Sequence, residues 1–158
     1  MIDGRAAVIG LAFSPVGEVR ASVPVGMLHY GMGWAEAFTW SLLGNLLVLP
    51  VAWCAYPRIE RLLRRWRWAD AGLDRLYART RARSGKKVER WEEFAVALLI
   101  AVPIPGSGAW TGVLVAHVFG LTWRKVAPAF YVGVVGATAL ATALVQAGLS
   151  AFPFFYGG

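Results

Sequence analysis

The residues of this chain that could do chemistry are few, and two of them stand where charge is most costly. In "SPVGEVRASVPVG", Ser14 to Gly26, Glu18 and Arg20 occupy the centre of a segment, Ala6 to Ala35, that is otherwise uncharged. A charged side chain within an apolar segment of that length marks a functional site by default, because lipid offers it no partner. Glu18 could bind and release a proton, while Arg20 could hold an anionic substrate group or the carboxylate itself. The nearby prolines favour extended backbone, in which residues i and i+2 face one side, so the spacing predicts Glu18 and Arg20 on a common face. The alternative is a turn shallow enough for both side chains to reach water.

A second stretch, "VPIPGSGAWTGVLVAHVFG" from Val102 to Gly120, is apolar yet rich in helix breakers. Ser107 and Thr111 could bind a polar group or cap freed backbone. Gly108 and Gly112 form a G-x-x-x-G pair that lets another helix approach closely. The Gly106 to Gly112 string is not a dinucleotide fingerprint, since its third glycine comes one place late and no parallel sheet can be read nearby. His29 and His117 each follow the glycine of their stretch; a neutral imidazole there could relay protons or serve only as a hydrogen-bonded packing residue. Cys54 is alone, which excludes an internal disulfide or a cysteine metal cluster, and the sequence calls for no metal and no cofactor.

The elements that must position these groups follow from composition. Of 158 residues, 58% are hydrophobic and 16% charged, against about a quarter charged in ordinary soluble domains. The charge-free runs Ala37 to Pro57, Phe94 to Trp123 and Val126 to Gly158 each exceed the roughly 18 residues that mark a candidate transmembrane helix. Ala6 to Ala35 and Phe94 to Trp123 share a broken middle: Pro15, Gly17, Pro24 and Gly26 in the first, Pro103, Pro105, Gly106, Gly108 and Gly112 in the second. As one helix, 30 residues would extend about 45 Å, beyond a hydrocarbon core of about 30 Å, whereas two full spans need about 40 residues. Each segment therefore suits a hairpin that enters the membrane and returns. Spans follow each, over Ala37 to Pro57 and Val126 to about Ala147. The alternative for Phe94 to Gly120 is a single kinked spanning helix. A cleavable leader is not expected, because Asp3 is unusual in one and no small-x-small cleavage pattern follows.

Between the halves, Arg58 to Glu93 holds 12 of the 16 basic residues and six of the nine acidic ones, a net charge of +6. The positive-inside rule places such a loop in the cytoplasm, with both termini outside. Ile59, Leu62, Leu63, Trp66, Ala69, Leu73 and Leu76 fall at helical spacing, which suits an amphipathic helix offering its arginines to anionic lipid headgroups. A solvated loop that only sets topology is the alternative, and nucleic acid is not expected as a partner. With the loop inside, the two halves run in opposite directions, the inverted-repeat plan of many transporters, with Gly26 laid on Gly112. The expected fold is thus an all-α integral membrane protein, one membrane domain over 1–158. Repeat one is 6–57, the basic cytoplasmic loop is 58–93, and repeat two is 94–150. Each repeat is a re-entrant helical hairpin plus a transmembrane helix, and the two broken tips are expected to share one polar site.

"PVGEVRASVPVG", Pro15 to Gly26, and "PIPGSGAWTG", Pro103 to Gly112, make the chain resemble the small multi-drug export protein family of prokaryotic membrane proteins, distantly related to the DedA and VTT proteins. The resemblance covers nearly the whole chain. It implies a bacterial or archaeal inner-membrane location, facing re-entrant hairpins, and a site at Glu18, Arg20, Pro103, Pro105, Gly106, Ser107, Gly108, Trp110 and Thr111. It also implies translocation of lipid-like molecules and proton-dependent drug tolerance. The expected function is a secondary transporter or translocase of an amphipathic substrate, coupled to protons. The alternatives are an energy-independent lipid scramblase and a structural or partner-binding membrane subunit. A membrane enzyme acting on lipid phosphate is not expected, for want of a paired-carboxylate, His-rich or Cys-based constellation. A homo-oligomer stays open.

Overall fold

A computed structural model describes residues 3–66, 70–72, 74, 75, 78 and 108–151. The described residues with regular structure are helical, in two compact units: residues 1–47 with 134–158, and residues 48–133. Of the hairpin expected over 94–123, residues 94–107 lie outside the described residues, as does the basic loop beyond Trp66 apart from residues 70–72, 74, 75 and 78.

In the first unit, α1 is Gly4–Phe13, capped at its N-terminus by the Asp3 carboxylate, which accepts from Arg5 N–H at 3.3 Å. The chain then breaks over Ser14 to Gly17, as the proline and glycine there demand, and Ser14 Oγ accepts from Gly17 N–H at 2.9 Å. Next comes α2, Glu18–Pro24, which passes into a π-helical turn, Val25–His29. Pro24 lacks the N–H that would bond back to Arg20, and the wider turn that follows is how the helix absorbs it. Here the structure corrects the extended conformation expected around Glu18. Residue 20 lies within a helix that residue 18 begins, with φ 47° at Glu18, so the two do not form the extended pair that was expected.

Helix α3, Trp34–Leu46, packs on both α1 and α2. Glu36, Trp40 and Gly44, four residues apart, turn toward α1: the Arg5 guanidinium pairs with Glu36 at 2.9 Å and lies 5.7 Å from the Trp40 ring. At Gly44 the two helices touch through backbone, for an added Cβ would sit 2.5 Å from the Ile9 carbonyl oxygen. Val19, Val23, Met27 and Ala37 form the buried cluster of this unit. It is flanked by Ala137, Ala141, Val145 and Leu149, one i+4 ridge of the last helix.

In the second unit, α4 is Val48–Leu63, α5 is Ala109–Val118 and α6 is Trp123–Ala151, the last passing into the first unit beyond Gly133. α4 runs through Pro57, where the sequence reading ended the span. Val48, Leu49 and Ala52 of α4, Ala109, Val113 and Ala116 of α5, and Val126 and Phe130 of α6 are buried. Two helical runs, Trp34–Leu63 and Trp123–Ser150, are long and apolar enough to cross a membrane. On the second, Val132 is 70% and Leu144 60% exposed; apolar side chains laid bare along so long a helix suit lipid far better than water.

Candidate functional site

Glu18 is the most unusual residue of the first unit. The residue is only 8% exposed, and its φ of 47° is the one positive value outside glycine among the described residues. That left-handed conformation costs a non-glycine residue about 1 to 2 kcal/mol, and persists only where the surroundings dictate it. The cause is the preceding turn: Gly17 is pressed against α1, where a Cβ would sit 2.6 Å from Leu11 Cδ1 and 2.7 Å from the Leu11 carbonyl oxygen. The turn holds the start of α2 against α1, and Glu18 takes up the bend. Val16, at the tip, is 95% exposed. Arg20 is partly buried on α2. His29 ends the π-helical turn, exposed, with the Tyr30 ring edge-on at 4.8 Å.

The same unit contains a cavity of about 330 Å³, lined by Trp34 and Phe38 of α3 and Ala139, Thr142, Ala143 and Gln146 of α6. Its walls are aromatic and aliphatic, with one hydroxyl and one amide. This is the usual make-up of a site for an amphipathic small molecule.

The second unit holds a polar cluster between α4 and α5. His117 Nε2 is 2.9 Å from Glu60 Oε2, and Glu60 Oε1 accepts from Arg64 Nε at 2.9 Å. Arg64 also donates to Asp70 at 2.6 Å and to Asp74 at 3.0 Å; bonds to Asp74, Glu60 and Asp70 raise its already high pKa, so it remains charged. Tyr56, one turn before Glu60, donates its hydroxyl to the Trp110 carbonyl at 2.9 Å, with its ring edge-on to that of Trp110. Trp110 and Thr111 are partly buried in the first turn of α5, whose N-cap is Gly108, and Gly112 is buried one turn further on. Pro103, Pro105, Gly106 and Ser107 lie outside the described residues.

Glu60 and Tyr56 were not singled out from the sequence. Their i, i+4 spacing was legible, but they straddle Pro57, taken there as the end of the span. Severing the Glu60 link should loosen α4 from α5 without unfolding the chain. Both partners are about a quarter exposed, so Glu60→Ala is expected to cost about 1 kcal/mol, read as a modestly lower melting temperature in detergent. Glu60→Gln, which keeps a hydrogen bond to His117, should cost less.

No curated protein and no solved structure matches this chain. The family described as "Putative small multi-drug export protein" matches residues 18–140, beginning at Glu18 and covering well over half of the chain. With its long apolar helices and its buried carboxyl, the chain belongs to that family of membrane export proteins.

Proposed function

We propose that this protein is a proton-coupled secondary transporter that exports amphipathic molecules across the cytoplasmic membrane of a bacterium or archaeon. The observation that carries the proposal is Glu18, buried and held in a left-handed conformation at the break between two apolar helices. A carboxyl in that setting can take up a proton and give it back. Each change of charge alters how well it is tolerated in a buried position, which is how protonation drives a conformational equilibrium. Local strain at the same residue supports a site rather than a packing position.

The apolar body of the substrate fits the groove between Trp34, Phe38 and Gln146, and Arg20 serves an anionic group where the substrate has one. The Glu60 and His117 pair offers a second place for a proton, and His29 a third. The re-entrant, inverted arrangement of the two halves belongs to this reading, as does a cytoplasmic basic segment facing anionic headgroups.

The test uses purified protein in vesicles with an imposed pH gradient and ethidium as the probe. Gradient-driven accumulation that collapses on adding a protonophore is the expected result. Accumulation that ignores the gradient would overturn the coupling. Equal flipping of a fluorescent phospholipid in both directions, with no ethidium movement, would make the protein a scramblase.

A further inference from the structure

Two ridges of side chains meet in the first unit, and their register follows from the close contacts at Gly17, Gly26 and Gly44. α1 runs antiparallel to α2, since Gly17 lies against Leu11 and Gly26 against Val8. α1 runs parallel to α3, since Arg5 pairs with Glu36 and Gly44 meets Ile9 and Ala12. α2 and α3 are therefore antiparallel. On α3 the ridge of Glu36, Trp40 and Gly44 faces α1, so the next ridge round the helix is Ala37, Ser41 and Asn45. Ala37 meets Gly26, where an added Cβ would lie 3.2 Å from the Ala37 Cβ. Stepping back one turn at a time along α2 from Gly26 reaches Ser22 and then Glu18. With Gly26 against Ala37, this register brings Ser22 opposite Ser41, and Glu18, which begins α2, lies toward the Asn45 end of α3.

Ser22 and Ser41 are fully buried, Asn45 is 2% exposed, and Ser22 Oγ, Ser41 Oγ and Asn45 Oδ1 have no hydrogen-bond partner among the described residues. Buried hydroxyls on helices ordinarily bond back to a carbonyl one turn earlier. Thr138 and Thr142 of α6 do so, at 2.7 Å to Val134 and 2.8 Å to Thr138. The serines of α2 and α3 do not, and buried polar atoms left over by the protein are the places where internal water binds, each water bridging about three such groups.

We propose that Ser22, Ser41 and Asn45 hold internal water between α2 and α3, and that this water passes protons to and from the Glu18 carboxyl. The proposal rests on the proton-coupled reading above. In one transfer the water next to Glu18 gives a proton to the carboxylate and takes one from the Ser22 hydroxyl. Ser22 takes one in turn from the next water along, and the last water of the file takes its proton from hydronium in bulk solvent, so one proton moves and no hydroxyl keeps a charge. The Asn45 amide oxygen only accepts, and orients the water. The other charged groups on the elements packed here are Arg20 on α2, and Arg5 and Glu36, which neutralise each other across α1 and α3; Asp3 caps α1 and His29 ends the π-helical turn. α6 brings no charge from Val134 to Ala151.

Ser22→Ala and Ser41→Ala in whole-protein vesicles test it, with Thr138→Val as the comparison, since that hydroxyl is spent on its own helix. Two quantities are read: proton uptake by vesicles loaded with pyranine, and ethidium movement as both gradient-driven accumulation and gradient-free exchange. The serine variants should keep the parent's melting temperature and its exchange, while proton uptake and accumulation fall at least tenfold; Thr138→Val should match the parent. Undiminished proton uptake in both serine variants overturns the proposal, as does loss of exchange and accumulation together, which is what a merely structural role gives. An equal fall in Thr138→Val overturns it too. If the parent moves no ethidium, the export reading fails, yet proton uptake by the parent above that of protein-free vesicles still decides the role of the serines.

Discussion

Glu18→Gln is expected to reduce gradient-driven export to the level of protein-free vesicles while leaving the protein folded. Glutamine keeps the size and backbone of the native residue and removes only the group that titrates. Glu18→Gly separates chemistry from conformation. Glycine adopts a φ of 47° without penalty, so this variant recovers the roughly 1 to 2 kcal/mol of left-handed strain, less the part lost to a floppier unfolded chain. The expected pattern is two inactive proteins, with the glycine variant melting no lower than the glutamine one. Melting curves in detergent and ethidium accumulation in vesicles give both readouts. A glutamine variant as active as the parent would show that Glu18 carries no proton in transport.

The largest structural effect is expected at Gly44. An added Cβ meets the Ile9 carbonyl oxygen at 2.5 Å, the Ala12 Cβ at 2.8 Å and the Ile9 Cα at 3.1 Å, and most of these are backbone of a neighbouring helix that cannot swing aside. Two effects compete in Gly44→Ala. Alanine's helix propensity favours it by about 1 kcal/mol, and overpacking opposes it by about 1 to 3 kcal/mol. Because the clash is with backbone, overpacking wins, and Gly44→Leu is expected to prevent α1 from docking at all. Gly148, with nothing within 4 Å of its would-be Cβ, is the control in the same unit. Gly148→Ala should leave the melting temperature unchanged or raise it. If Gly44→Ala melts at or above the parent temperature, α1 does not lie where the backbone contact puts it.

The amino-acid sequence by itself determined the class of this protein. Length and apolar content are local properties, so the spans around Ala37 to Pro57 and Val126 to Ala147 were legible as runs of residues, and both have helices long and apolar enough to cross a membrane. The break at Pro15 and Gly17 was legible for the same reason, since a proline and a glycine interrupt a helix wherever they are not rescued. So was Glu18, a carboxylate in grease, and so was the family, which rests on motifs read in order along the chain.

Only the tertiary structure decided what faces what. Pro24 and Pro57 stayed within helices, because neighbouring turns rearrange around a missing N–H; Glu18 and Arg20 thus belong to one helix instead of an extended run, and Glu60 comes within reach of His117. Gly44 looked like any glycine in an apolar run until Ile9 was laid against it. The register that sets Ser22 opposite Ser41 comes from ridges of one helix fitting beside those of another. That fit depends on every side chain along the seam, so no single residue type announces it.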